Sequence, residues 1–459
     1  MIRRAFRAGA ATLVLLAATA APAPAAKKPA KKHKAPPPPQ LALTPALTSA
    51  PGASISLPPV GLSLEYPVMA ADLGGGECPA PALVAELQRL GSPPLQLAGQ
   101  SQDFTVPAAS APGTPQSWEE LTGYPLPEAF WSRLHCLLAA TREPLTAGLN
   151  VRIGQLAWAQ QMVAGASAAA TNGLSFSLGN EPDLYYLPNY NSLDKPLANE
   201  EATEVGLYLR AAAAIRPAVG GAPLIGPELS GPSRWRSALP GVISTLGLGA
   251  VGVHVYPLSV CRTPRAATIN GLLEQSVGDA PSRLAWVVAD ARAAGMQAVI
   301  TEANSVSCGG KAGVSDSRAS GVWAVRFVLS ALRTGFAEVR FHFSGDPYDP
   351  FYVRGGEVVR RPLEAAMTAL NGWLPVGSTL RSVPGLRGIS ATAVAAPGAQ
   401  PLVLIDNGER KTRTLLLSGE APVPAGAFSA SGALPAIRPQ KGHGRLLTLP
   451  ANTIVALRY

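Results

Sequence analysis

Along the chain, short apolar runs alternate with stretches whose apolar positions recur every three or four residues. Runs of the first kind predict strands at 62–66, 95–97, 145–151, 174–178, 223–226, 250–257, 298–302 and 339–343. Stretches of the second kind predict helices at 80–90, 125–140, 155–165, 199 or 200 to 216, 233–246, 316–334 and 362–373, with a further helical stretch over 268–295 broken at 278–281. Asp316 is the expected cap of the 316–334 helix and Gly335 its stop. Eight strands, each followed by a helix, point to parallel pairing and a (β/α)8 barrel over residues 51–373. A doubly wound open sheet is the competing topology, and no GxGxxG follows the first strand.

After residue 373 the period changes. Strand-like runs at 389–395, 402–405, 413–417, 446–449 and 454–459 are separated by turns rich in Gly, Pro and Asn. Residues 374–459 therefore read as a β-sandwich domain, to which 53–57 offers one more strand.

Residues 1–26 read as a secretory signal: Arg3, Arg4 and Arg7 flank an apolar run over 8–21, followed by small residues and Pro. An uncleaved anchor is the alternative, although the run is short for a membrane span. Residues 27–50 form a Lys/Pro-rich linker expected to be extended and disordered. The net charge of +9 lies almost wholly in this leader, where residues 1–50 hold eight Lys and Arg and no acid. The folded part has no overall basic bias, so nucleic acid is not an expected partner. An exported protein, periplasmic or extracellular, without stable membrane insertion after signal cleavage is the expectation. Four cysteines in such a protein favour disulfides. The preferred pairing is Cys261–Cys308, because both follow strand ends expected to be neighbours, and Cys78–Cys136 follows by elimination. No CxxC or His-rich spacing suggests a metal site, and no cofactor is expected.

The chemistry gathers at strand ends. Phe176-Ser177-Leu178 runs into Gly179-Asn180-Glu181-Pro182, and Val299-Ile300-Thr301 runs into Glu302, 121 positions later. In a barrel, functional groups stand at the C-terminal ends of strands. Two carboxyls there, on strands four and seven, suit a retaining glycosidase, which needs an acid and a nucleophile about 5–5.5 Å apart. Other polar residues at the same end are Glu65, Gln100, Glu228, His254, Tyr256, Asn304 and His342. Of these, Glu65, Gln100 and His342 are candidate substrate contacts. His254 and His342 read equally well as strand-end histidines satisfied by partners.

Five segments in this order resemble family 79 of the glycoside hydrolases, which holds β-glucuronidases and heparanases. They are Phe-Ser-Leu-Gly-Asn-Glu-Pro-Asp (176–183), Val-His-Val-Tyr-Pro (253–257), Ile-Thr-Glu-Ala-Asn-Ser (300–305), Cys-Gly-Gly-Lys-Ala-Gly-Val-Ser-Asp (308–316) and Arg-Phe-His (340–342). The resemblance covers roughly residues 60–375 and a similar C-terminal β-domain. It implies Glu181 as general acid/base and Glu302 as nucleophile. It implies Asn180 on the sugar 2-hydroxyl, Tyr256 donating to Glu302, and Gly309, Gly310 and Tyr348 around a C5 carboxylate. Two departures stand out. The family's Arg-Ile-Gly-Gly-Asn-Ser stretch is Gln96-Leu97-Ala98-Gly99-Gln100-Ser101 here, and the Tyr often found before the Gly-Gly turn is replaced near Ser307. The expectation is a secreted retaining β-glycosidase, with a β-glucuronidase acting on terminal β-linked glucuronic acid as the leading reading. A carbohydrate-binding homologue without turnover and a β-xylosidase or β-glucosidase of the same clan are the alternatives.

Overall fold

Eight parallel strands close on themselves in chain order. They are β1 (Val60–Glu65), β2 (Leu95–Ala98), β3 (Leu145–Leu149), β4 (Leu174–Leu178), β5 (Leu224–Leu229), β6 (Ala250–Val255), β7 (Gln297–Ala303) and β8 (Val339–Phe343). Strand β8 pairs with β1 and completes the barrel. The protein is seen in a computed structural model that describes residues 38–42, 52–108, 124–152, 154–185, 201–261, 267–383, 388–418, 422–440 and 444–459. The expected signal, all of the linker but residues 38–42, and, except for Tyr185, the polar and aromatic stretch Tyr185–Asn199 that the sequence suggests as a substrate-facing loop lie outside the described residues.

Successive side chains of a strand face opposite ways, and here the two faces differ in kind. Val60, Leu62 and Leu64 of β1, Leu95 and Leu97 of β2, and Val339, Phe341 and Phe343 of β8 pack into the core beneath the helices. The intervening positions include Ser63, Gln96, Thr146, Arg340 and His342, all buried and bonded to one another across the barrel. The interior is thus a polar network rather than layers of branched apolar residues.

Several elements differ from the expected pattern. A helix at Tyr66–Leu73 starts directly after Glu65, with Pro67 in its first turn, and ends the first strand one residue before the expected end, while that strand begins two residues earlier, at Val60. Strand β5 runs on through Pro227 to Leu229. The 268–295 region is four short pieces: Ile269–Leu272, Gln275–Gly278, Ala280–Leu284 and Ala285–Ala293. Asp316 does not cap the helix at Arg318–Thr334; it accepts from Gly313 N–H at 2.6 Å, and Ser317 takes the cap position.

Beyond the barrel, strands β9 (Thr379–Val383), β10 (Ser390–Ala395), β11 (Leu402–Asn407), β12 (Arg413–Ser418), β13 (Val423–Ser429), β14 (Ala436–Pro439), β15 (Arg445–Leu449) and β16 (Thr453–Arg458) form two sheets. The order in the larger sheet is Ala53–Ser54, β9, β10, β11, β16, β13. The smaller holds Gln40–Ala42, β12, β15 and β14. The residues Gln40–Ala42, inside the stretch expected to be a linker, pair in parallel with Leu416–Ser418. Alternation again sorts the faces. Ala391, Ala393, Val403, Ile405, Val455 and Leu457 meet Leu415, Leu417, Leu447 and Leu449 between the sheets. Val394, Leu402, Leu404, Ile454 and Ala456 turn the other way and join the barrel's core. The helix Arg318–Thr334 lies at that junction, where Arg326 makes a bidentate pair with Asp406 at 2.8 and 2.7 Å.

Candidate active site

The strand ends of one barrel mouth bring Glu181 and Glu302 together. One oxygen of each, with a ring nitrogen of His254, lie within 4.8 Å of one another. Both carboxyls are nearly buried. Glu181 sits in the left-handed region, at φ 48° and ψ 52°, a conformation costly for a side-chain-bearing residue. Its backbone N–H donates to Glu228 O at 3.1 Å. Two residues on, Asp183 accepts from Ser230 N–H and Gly231 N–H at 3.0 and 2.6 Å, which ties the turn after β4 to the turn after β5. Glu228 is left-handed as well, at φ 60°. Paired strained turns therefore aim the two carboxylates inward.

His254 of β6 lies beneath the pair. Its Nδ1 is 3.0 Å from Glu181 Oε1 and 3.8 Å from Glu302 Oε2, and its Nε2 is 3.3 Å from Glu228 Oε2. Glu228 also accepts both hydrogen bonds of Gln96 Nε2, at 2.9 and 3.0 Å. Gln96 Oε1 accepts from Arg340 at 2.5 Å, and Arg340 is held bidentately by Glu338. A single chain of contacts thus runs from Glu181 down the barrel interior. On the other side of Glu302, Tyr256 donates to Oε1 at 2.7 Å and His342 Nδ1 lies 3.4 Å from Oε2. The other nitrogen of His342 is 3.5 Å from Glu65 Oε1. Glu65 accepts backbone N–H from Gln100 and Ser101 at 3.0 and 2.7 Å, so it clamps the turn after β2. Gly99 makes this clamp fit: its φ is +73°, and a Cβ there would strike the Glu65 carboxyl and the His342 ring.

Of the expected site residues, Asn180, Tyr256, Tyr348 and His342 join Glu181 and Glu302 in one cluster. Asn180 N–H donates to Asp103 at 3.2 Å, while its side-chain oxygen is buried and makes no hydrogen bond among the described residues. The Tyr348 ring lies tilted beside those of Tyr256 and His342, with centroids 6.3 and 6.0 Å away. Gly309 and Gly310 form a left-handed turn with Cys308, φ 63°, 83° and 77° in sequence order 308–310. Glu65 and His342 face each other within the carboxylate network, and Gln100 enters it through its backbone. The disulfide Cys261–Cys308 joins the loops after β6 and β7, beside the short pairing of Leu258–Ser259 with Val306–Ser307. The second disulfide is Cys78–Cys136. From the sequence, Arg340 appears only within the Arg-Phe-His segment and Glu228 only as a strand-end carboxyl, neither with a role, and His254 reads equally as a satisfied strand-end histidine and as a substrate contact. Their signal was an inward-facing polar residue on each of three otherwise apolar strands.

Charge follows this geometry. Burial works against a cation at His254, but Glu302, Glu181 and Glu228 together hold its pKa well above the usual imidazole value. Burial opposes His342 too, and Glu302 and Glu65 raise it to about 9. Burial raises the pKa of Glu302, and Glu181 adds to this; His342, His254 and the Tyr256 phenol pull against it. Among the described residues, Glu181, His254 and Glu302 are the group close enough to share a cation.

No family model and no curated protein sequence matches the chain. Solved structures do match. A 4-O-α-L-rhamnosyl-β-D-glucuronidase from Fusarium oxysporum is similar at TM-score 0.65 and 20% identity, covering 89% of this chain and 97% of that one. A family 51 arabinofuranosidase from Xanthomonas axonopodis pv. citri gives 0.65 and 15%, over 91% and 98%. The catalytic domain of a family 30 xylanase from Talaromyces cellulolyticus gives 0.54 and 12%, over 89% and 97%. These likenesses show the fold. It is the barrel with an appended β-domain on which those glycoside hydrolases are built.

Proposed function

We propose that the protein is a retaining β-glycosidase. The observation that carries this is the approach of Glu181 and Glu302, whose nearest oxygens fall within 4.8 Å of each other and of His254. That closeness suits direct attack by one carboxylate and fits the shorter carboxyl separation of a retaining enzyme better than the longer one of an inverting enzyme. In the first step a Glu302 oxygen attacks the anomeric carbon, the glycosidic C–O bond breaks, and Glu181 gives its proton to the leaving oxygen. In the second step Glu181 takes a proton from water, whose oxygen displaces Glu302 and releases the sugar. Tyr256 and the two histidines favour the carboxylate form of Glu302 against its burial. The free acceptor on Asn180 is available for the 2-hydroxyl, a contact that strengthens as the sugar flattens toward the transition state.

The resemblance to family 79, and the glucuronidase among the structural neighbours, support β-glucuronide hydrolysis as the finer reading. A second reading, hydrolysis of a neutral β-glycoside, is favoured by the carboxylate of Asp346 at the Gly309–Gly310 turn. The two disulfides support export to an oxidising compartment. Among the described residues no helix is long and apolar enough to cross a membrane. The test is hydrolysis of aryl β-glycosides, with the product anomer followed by NMR. The β-anomer as first product is expected; an α-anomer, or sugar binding without hydrolysis, overturns the reading.

A further inference from the structure

Behind each of the two site carboxyls stands a histidine, and behind each histidine a further carboxyl. The two series are Glu181–His254–Glu228 and Glu302–His342–Glu65. Glu65 is occupied by the backbone N–H groups of Gln100 and Ser101. Glu228 is held differently. Pro227 pairs with Gly252 and Leu229 with Val253 of β6, so Glu228 has no partner in that register. This bulge, with a φ of 60° at Glu228, turns its side chain into the barrel interior, where it has no exposure to solvent. A strained, buried carboxylate needs donors around it.

Arg340 sets the direction of those donors. A guanidinium only donates, so the side-chain oxygen of Gln96, 2.5 Å away, faces Arg340 and the amide nitrogen faces Glu228. That nitrogen lies 2.9 and 3.0 Å from Oε1 and Oε2. Both Glu228 oxygens therefore accept, and His254 Nε2, 3.3 Å from Oε2, meets an acceptor. The hydrogen bond made at one ring nitrogen decides where a histidine keeps its proton. Nδ1 is left facing Glu181 Oε1 at 3.0 Å. The backbone carbonyl of Glu228 also accepts the Glu181 N–H at 3.1 Å. One residue thus holds both the turn that carries Glu181 and the ring beside its carboxyl. The other titratable groups around that ring are Glu302 of β7, 3.8 Å from Nδ1, and His342 beyond it.

We infer that Glu228 is a positioning residue for the acid/base: it keeps a proton on Nε2 of His254 and so confines the ring's proton exchange to Nδ1, the side that faces Glu181. The inference rests on the glycosidase reading of Glu181 and Glu302 and adds to it the group that orients the proton donor's neighbour. In Glu228→Gln, Arg340 still turns the Gln96 nitrogen toward residue 228. The new carbonyl then faces Gln96 and the new NH2 group faces Nε2, so the ring proton is expected on Nδ1. Proton-coupled 15N NMR of the histidine-labelled protein reads this, with the His254 signals identified by their loss in His254→Gln. The wild type should carry a proton on Nε2 between about pH 5 and 8, and Glu228→Gln should not. In the same variant, kcat/KM for the phenyl glycoside of the sugar that the wild type accepts should fall about tenfold, part of the roughly 10²–10⁴-fold that a positioned general acid contributes. The dinitrophenyl glycoside, whose leaving group departs without a proton, should stay within about twofold. Glu228→Asp, which keeps a carboxylate, should restore the Nε2 proton and part of the rate. A wild type without a proton on Nε2, a ring proton unmoved in Glu228→Gln, or equal losses for the two leaving groups overturns the inference. The wild-type spectrum decides the proton's place even where a variant does not fold. If the wild type turns over no aryl glycoside, the glycosidase reading fails by itself, and the spectra still decide whether Glu228 sets the ring proton.

Discussion

The Nε2 of His254 stands 3.3 Å from Oε2 of Glu228, a carboxylate with no exposure to solvent. Since Nδ1 faces Glu181 at 3.0 Å, each ring nitrogen meets a carboxyl group, and against the opposing effect of burial Glu302, Glu181 and Glu228 hold the ring's pKa well above the usual imidazole value. When protonated, the ring places a positive charge beneath two carboxyls that must stay in different protonation states. Replacing it with a neutral group removes one of the influences that hold the pKa of Glu302 down. In His254→Gln the acidic limb of the kcat/KM profile is therefore expected to move to higher pH. The rate at the optimum should fall on the order of 10²-fold, as when one preorganised electrostatic partner is lost. A profile that drops in height without moving would assign His254 a packing role only.

Glu181 and Glu302 should fail differently. Glu302→Gln removes the group that attacks the anomeric carbon and abolishes turnover of every aryl glycoside. Glu181→Gln removes a proton donor, worth about 10²–10⁴-fold for a poor leaving group. A dinitrophenolate departs without protonation, so the same variant should form the glycosyl-enzyme at a near-normal rate and hydrolyse it slowly. A burst of dinitrophenol followed by a slow steady state is the expected trace. Equal losses for good and poor leaving groups would exchange or remove the two roles.

The barrel was legible because outward-facing apolar positions and helix punctuation both repeat along the chain, as at Leu62, Leu95 and Phe341. The carboxylate pair was legible for the same reason: a strand that ends in Glu places it at the barrel mouth. What the one-dimensional pattern could not carry is contact across the barrel. Arg340 reads as a stray charge between Val339 and Phe341, yet it occupies the interior opposite Gln96, 244 positions away. The left-handed turns at Glu181 and Glu228 carry no glycine signal, because tertiary hydrogen bonds impose them. The strand at Gln40–Ala42 was hidden by the Pro-rich composition before it.

Stability should fall as pH rises across the neutral range. Burial raises Asp72 and Asp103 to about 7, Glu143 to about 8, and Asp183 and Asp349 to about 6. His342, which burial opposes but Glu302 and Glu65 support, stands at about 9. In every case the folded state binds the proton more tightly than the unfolded chain. Each contribution is present below the unfolded pKa and is lost as pH rises through the folded one. The window opens near pH 4 for the carboxyls and closes near pH 9 for His342. Thermal unfolding should therefore give a higher Tm at pH 5 than at pH 8.5; the reverse order would mean that these groups are hydrated in solution.

Gln96 stands where the resembling family has an arginine, and the guanidinium of Arg340 reaches it from β8. The two positions are expected to be exchangeable only together. Arg340→Met leaves Glu338 buried without its cation and should cost about 3–5 kcal/mol in urea unfolding. Gln96→Arg alone places a second guanidinium against Arg340, at 5% exposure, and should destabilise as well. In the double variant Gln96→Arg with Arg340→Met, the new guanidinium has Glu228 beside it, within reach of the oxygens that Gln96 now contacts. Part of the loss should return, as a coupling of about 1–3 kcal/mol in the double-mutant cycle. Additive losses would mean that Gln96 and Arg340 fill space independently, and that the chain of contacts from Glu181 to Glu338 is not one network.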